Sequence, residues 1–255
     1  MSTTGAVSTG AARLAELLAG ASRAVALTGA GISVPSGIPD FRTPGTGLWE
    51  NVNPMEVAHI DAWRSDPDRF WRFYGQRFAS LVDKRPNPAH AALAALEERG
   101  LIRGVITQNI DRLHRAAGTR RLIEVHGSIE MSVCLECGGK QPYAAVAEQL
   151  AAAPDEAPEC PACVTPLKPD VVLFGELLPE RALAEAQLLA EEADLMLCVG
   201  SSLEVHPVAA LPGLTLRRGG QVAVVTAGPT PYDGDAVVKL DGDVVDELEA
   251  VLAAL

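Results

Sequence analysis

Four cysteines fall in two pairs, Cys134-Leu-Glu-Cys137 and Cys160-Pro-Ala-Cys163, with residues 138–159 between them. Thiolates two residues apart can reach one ion together, and two such pairs at this separation match a four-thiolate zinc ribbon. The pairs carry no spare ligand such as an adjacent histidine, so the Zn2+ would be structural, bracing a segment with little core of its own. A redox pair is the competing reading, but two matched knuckles are hard to explain that way. The fifth cysteine, Cys198 in D-L-M-L-C-V-G, alternates within an apolar strand and reads as a small core residue.

A second set of residues closes apolar runs with small or polar groups. G-A-G-I-S places Gly29, Ala30, Gly31 and Ser33 after A-V-A-L-T, where backbone N–H groups can approach a phosphate or simply make a tight turn. Val34 stands where a dehydrogenase fingerprint has its third glycine, and no acidic ribose ligand closes the unit. T-Q-N-I-D puts Gln108, Asn109 and Asp111 on one strand tip, ahead of a helix that needs a single cap; Asn109 or Asp111 would serve as that cap. His126, in L-I-E-V-H-G-S, ends another strand at the edge where open α/β sheets bind ligands, and a neutral imidazole there could take a proton. Gly200, Ser201 and Ser202 end a further strand, and Thr226 begins T-A-G at the tip of one more. Convergence of such tips on one rim argues for a ligand site more strongly than any single tip. The loop S-G-I-P-D-F-R carries Asp40, Phe41 and Arg42 and suits a lid over a ligand, or a loop anchored by one buried phenylalanine. His59, His90, His114 and His206 read as structural by default.

These groups need a frame. Apolar runs at 101–106, 122–125, 171–174, 195–199 and 222–225 alternate with helical patterns at 88–99, 180–192 and 244–254. That rhythm predicts an α/β fold, a doubly wound parallel sheet covered on both faces. Residues 11–38, 86–127 and 171–255 would form the sheet domain. Residues 39–85, with a helix predicted from about Pro67 to Leu81 carrying Phe70, Phe73, Tyr74 and Phe78, interrupt it once. Residues 128–170, with the cysteines and an alanine-rich helix, form a smaller inserted module.

With 255 residues, 48% of them hydrophobic, the chain can bury a large core. A net charge of −12 argues against a general nucleic-acid binder. No apolar run reaches the roughly 18 residues of a membrane span, and the first ten residues lack the features of a signal peptide. A cytoplasmic protein without membrane or nucleic-acid partners is expected, in which paired cysteines favour metal over disulfides; a monomer is compatible with these features.

Taken together, G-A-G-I-S, G-I-P-D-F-R, T-Q-N-I-D, H-G-S, the paired cysteines, P-D-V-V-L-F-G-E and G-S-S-L-E-V-H-P resemble the sirtuins, NAD-dependent protein-lysine deacylases, in order and spacing from about residue 24 to 240. The resemblance implies a Rossmann-like domain with an inserted zinc module, and a cleft holding NAD and an acyl-lysine peptide. Gly29, Ala30, Gly31 and Ser33 would line the phosphates, Asp40, Phe41 and Arg42 would lie on the cofactor loop, Gln108 and Asn109 would face the ribose and Asp111 the nicotinamide pocket, with Ile110 also among the cofactor-binding residues. His126 would be the general base, assisted by Asn109, and the products would be free lysine, nicotinamide and O-acyl-ADP-ribose. Gly200, Ser201, Ser202 and Thr226 complete the cofactor side; Val172, Leu173, Phe174 and Gly175 would pair with an extended peptide. In F-W-R-F-Y-G-Q-R, Tyr74 and Arg77 resemble the Tyr-x-x-Arg of the branch that removes succinyl and malonyl groups, and Ala58 falls where that branch keeps a small residue. A guanidinium fork can take the distal carboxylate bidentately. Residues 226–228 replace an asparagine-containing strand end near the adenosine, and Ser201 replaces a frequent threonine. Plain deacetylation, ADP-ribosyl transfer, or a noncatalytic NAD-sensing scaffold are the competing functions.

Overall fold

In L-M-L-C-V, Leu195, Leu197 and Val199 are buried in one cluster while Met196 and Cys198 are buried in another. A strand's side chains point alternately to opposite faces, so an unbroken apolar run must be covered on both sides. A-V-A-L behaves identically, sending Ala24 and Ala26 one way and Val25 and Leu27 the other.

The computed structural model describes residues 9–40 and 53–255; Phe41 and Arg42 lie outside the described residues. In chain order the strands are β1 (Ala24–Thr28), β2 (Val105–Thr107), β3 (Leu122–Glu124), β4 (Gly127–Val133), β5 (Lys140–Pro142), β6 (Lys168–Val171), β7 (Leu195–Val199), β8 (Gln221–Val225) and β9 (Val238–Leu240). Six form a parallel sheet in the order β3-β2-β1-β7-β8-β9, so the fold is a doubly wound α/β sheet. On one face Leu14, Leu18, Leu93, Leu248 and Val251 pack from helices Thr9–Gly20, Pro88–Glu98 and Val244–Ala254; on the other, helices Glu180–Glu192 and Leu211–Arg217 bring Leu189, Ala190 and Leu211. Asp243 caps the last of the first three helices by accepting from Val245 N at 2.8 Å.

β4, β5 and β6 form a separate three-stranded antiparallel sheet. The run at 171–174 is therefore not a strand of the core sheet: β6 ends at Val171, and its apolar residues face a third cluster. The reason is tertiary, since a four-residue apolar stretch carries no mark of which sheet it joins. In that cluster Phe70, Trp71 and Phe78 of helix Pro67–Val82 pack with Ile129, Tyr143, Val146, Leu167 and Leu173, so the aromatic helix and the cysteine segment share one core. Trp63 and Trp71 both donate their indole N–H to Leu167 O, at 3.3 and 2.8 Å. No helix among the described residues is long and apolar enough to cross a membrane.

Candidate active site

The sheet order makes four of the polar tips neighbours: those of β3, β2, β1 and β7 follow one another along a single edge, with that of β8 next. Parallel strands all end on that edge, so their connecting segments converge.

Hydrogen bonds join the tips. Ser33 Oγ donates to Asp111 Oδ2 at 2.6 Å, while Asn109 Nδ2 donates to Ser33 Oγ and Gly29 O, both at 3.1 Å. Asp111 Oδ1 accepts from Leu113 N at 2.9 Å, the first N–H of the short helix Leu113–Ala116 behind its N-cap Arg112, so the carboxylate ties that helix start to Ser33. Gln108 Nε2 donates to Ser201 Oγ at 2.9 Å, linking the β2 tip to the β7 tip. Asn109, Asp111, Ser201 and Thr226 are all buried; Thr226 donates its N–H to Leu240 O at 3.0 Å. Ala30 and Ser202 are half-buried on the same rim. Ile110 packs against the third cluster and accepts from Ile129 N.

The glycines have a reason in the chain itself. Gly31 N donates to Gly200 O at 2.8 Å, and a Cβ on Gly31 would lie 2.8 Å from that same oxygen. Gly200 has φ +60°, and a Cβ there would fall 2.2 Å from Ile32 N. The β1 and β7 tips thus interlock backbone against backbone, which only glycine permits. A Cβ on Gly29 would likewise lie 2.8 Å from Ser201 Cβ.

His126 follows β3 and is half-buried. Its Nδ1 lies 2.9 Å from Gln108 O. A carbonyl can only accept, so Nδ1 carries the proton and Nε2 is left with its lone pair. Burial pushes the imidazole pKa below its usual value, against the opposing hydrogen bond to Gln108 O, which keeps the ring neutral near pH 7.

Beneath this rim lies a group whose importance the sequence concealed. His90 and His114 are fully buried with ring centroids 4.9 Å apart. His90 Nδ1 accepts from Asn87 N at 3.4 Å, which places the proton on Nε2, 3.4 Å from Ser33 Oγ. His114 Nε2 meets Thr28 Oγ1 at 2.9 Å, Thr28 Oγ1 donates to Thr107 Oγ1 at 2.8 Å, and His114 Nδ1 has no hydrogen-bond partner among the described residues. Burial is the main cause that depresses both rings, His90 to about 4 and His114 to about 3. The only signal was N-P-A-H: Asn87 caps and Pro88 opens the helix, and those positions put His90 third, in a capping box.

On the peptide side, Val172 N donates to His126 O at 2.8 Å. Phe174 forms a parallel bridge with His59; its N–H donates to Ala58 O and its carbonyl accepts from Ile60 N, both at 2.9 Å. Gly175 has φ +85°, and a Cβ there would lie 2.5 Å from His59 Nε2. Ala58 and residues 172–175 are therefore drawn together with His126. Tyr74 packs against the third cluster, and Arg77 follows one turn on in the same helix, Pro67–Val82. Tyr74 stacks between Phe70 and Phe78, at 4.7 and 5.3 Å between centroids. Arg77 lies over the Phe73 ring at 3.6 Å and donates to Phe73 O. Burial raises the Tyr74 phenol to about 12 despite the nearby Arg77 charge. Asp40 is half-buried before the undescribed stretch.

The four cysteine sulfurs lie within 4.8 Å of one another. A tetrahedral ion with bonds of about 2.3 Å separates its sulfurs by about 3.8 Å, and Cys137 and Cys160 Sγ are 3.8 Å apart. Both knuckles repeat one hydrogen-bond pattern: Cys134 N to Gly139 O and Gly138 N to Cys134 O, then Cys160 N to Thr165 O and Val164 N to Cys160 O. The donor set fits a closed zinc site.

Residues 29–207 match the Sir2 family. An NAD-dependent protein deacetylase of Thermotoga maritima is 45% identical over 228 residues, 89% of this chain and 91% of that protein. An NAD-dependent protein deacylase of Thermococcus kodakarensis is 44% identical over 238 residues, 92% of each. Among solved structures, a Sir2–p53 peptide–NAD+ complex superimposes with a TM-score of 0.87 at 43% identity, covering 94% of this chain and 96% of that one. Sir2Tm bound to a propionylated peptide gives the same TM-score at 42% identity and the same coverage. The chain belongs to the Sir2 family.

Proposed function

We propose that this Sir2-family chain, an NAD-dependent protein deacylase, removes succinyl and malonyl as well as acetyl groups from lysine, with His126 as the general base. The products are free lysine, nicotinamide and O-acyl-ADP-ribose. The observation that carries the reading is His126: Nδ1 is engaged by Gln108 O and burial holds the ring neutral, which leaves Nε2 able to accept a proton. General-base assistance of this kind is worth about 10²–10⁴ in rate.

NAD, when bound, supplies the ribose carbon that takes the acyl oxygen. Buried Asn109, Asp111 and Ser33 form a preorganised polar wall suited to a ribose and a carboxamide. Cys134, Cys137, Cys160 and Cys163 would hold a zinc ion that braces the β4-β5-β6 sheet. The peptide would lie along residues 172–175, next to His126 O.

Support for an acidic acyl group comes from Tyr74 and Arg77, one turn apart, with Arg77 close enough for its charge to act on the phenol, and from small, buried Ala58 tied to Phe174. Binding a carboxylate requires Arg77 to leave Phe73, which favours plain deacetylation as the second reading. Matched acetyl- and succinyl-lysine peptides with NAD decide between them. Succinyl preference that collapses in Tyr74→Phe and Arg77→Met supports the acidic pocket; equal or better deacetylation, unchanged in both variants, sinks it.

A further inference from the structure

Lys168 is the one lysine among the described residues whose ammonium is buried within a strand pair, with 4% of the residue exposed. Its three donors are all used: Pro169 O at 3.1 Å, Val171 O at 2.6 Å and Glu176 Oε2 at 2.9 Å. Glu176 Oε2 in turn accepts from Leu173 N at 2.9 Å. Ammonium and carboxylate therefore close a ring around residues 171–176, gripping the C=O of Val171 and the N–H of Leu173 at once. An apolar pair of similar volume often stabilises a fold as well as a buried ion pair does, but it could hold neither backbone group.

The staple acts on the segment that matters for substrate. Val172 N is held by His126 O, and both backbone groups of Phe174 are held by Ala58 and Ile60. Leu173 is the remaining link between them, and its N–H is set by Glu176. On the other side, Lys168 pairs in register with Val133, the residue before Cys134, so the staple is anchored in the small sheet beside the cysteine cluster.

We propose that Lys168 and Glu176 are positioning residues: they fix residues 171–174, ahead of the turn that Glu176 N closes on Leu173 O at 3.1 Å, in the shape against which an acyl-lysine peptide is laid, an inference that rests on the deacylase reading above. Neither side chain touches the reacting atoms. Their loss weakens peptide capture and spares the cofactor side, whose contacts run through Ser33, Asn109 and Ser201.

The test is steady-state kinetics on the full chain with NAD and an acyl-lysine peptide, in wild type, Glu176→Gln, Lys168→Met and Lys168→Arg, together with hydrogen exchange at the Leu173 amide. Glu176→Gln and Lys168→Met are expected to raise the peptide KM about tenfold, some 1.4 kcal/mol, with the KM for NAD and kcat within about twofold, faster Leu173 exchange, and rescue by Lys168→Arg. Should Lys168→Met fail to fold by circular dichroism, Glu176→Gln, which keeps the side-chain volume but gives up the charged oxygen shared by Lys168 Nζ and Leu173 N, decides alone. An unchanged peptide KM, or peptide and NAD KM rising together, overturns the positioning role. A wild-type chain that consumes no acyl-lysine peptide with NAD overturns the deacylase reading itself, and the two failures are thereby distinct.

Discussion

The buried pair His90 and His114 makes acid sensitivity a property of the floor under the site. Both rings are folded away neutral, 0% and 2% exposed, depressed to about 4 and about 3 from 6.5. Below pH 6.5 the unfolded chain binds a proton on each ring and the folded chain does not, so acidification favours unfolding. The stabilisation is present above pH 6.5 and is lost as pH falls from there toward about 4 and 3. Each pH unit is worth 1.36 kcal/mol per proton, so the 1.5 units from 6.5 to 5 cost about 2 kcal/mol per ring and about 4 kcal/mol for both. Urea unfolding at pH 7 and pH 5, in wild type and in His114→Gln, isolates one ring; the glutamine offers Thr28 a donor and does not titrate. The variant should lose about 2 kcal/mol less than wild type over that interval. Parallel losses in the two proteins would mean that His114 does not titrate on unfolding as its burial requires, because cysteine and carboxylate titrations common to both cancel in the difference.

Gly200→Ala should destabilise by about 3 kcal/mol, since the added carbon would lie 2.2 Å from Ile32 N at a φ of +60°; a thermal midpoint unchanged within a degree would contradict the interlock of the β1 and β7 tips. Val164 holds the turn position after the second cysteine pair at φ +56°, where the first pair has Gly138 at +72°. Val164→Gly should therefore stabilise by about 0.5–1 kcal/mol, read as a higher urea midpoint; a lower midpoint counts against strain at that knuckle.

The parallel sheet was legible because its strands are unbroken apolar runs, and the cysteine pairs because ligand spacing is local chemistry. T-Q-N-I-D was legible as odd, since three polar residues on one tip exceed what a cap needs; the N-cap proves to be Arg112, and Asp111 holds Leu113 N and Ser33 at once. Other features were hidden for physical reasons. β9 has only three residues, one of them Lys239, too few for a periodic signal. Residues 168–171 joined the small sheet through partners distant in sequence. His90 and His114 are structural, as expected, but nothing local announces that two histidines 24 positions apart meet edge to face under a serine and a carboxylate. The glycine motif left phosphate approach and a tight turn both open, and nothing in it announced the close contact between two strand tips of the chain itself. Arg77 folds onto Phe73, a choice that spacing along a helix does not encode.

The proposed role of His126 is to take the proton in an NAD-dependent deacylation. Incubating wild type and His126→Ala with NAD and an acyl-lysine peptide, and following nicotinamide and deacylated peptide by mass spectrometry, tests it directly. Wild type should form both products with O-acyl-ADP-ribose, and His126→Ala should lose about 10²–10⁴ of the rate while keeping its fold. Deacylation at an undiminished rate in His126→Ala would contradict the assignment.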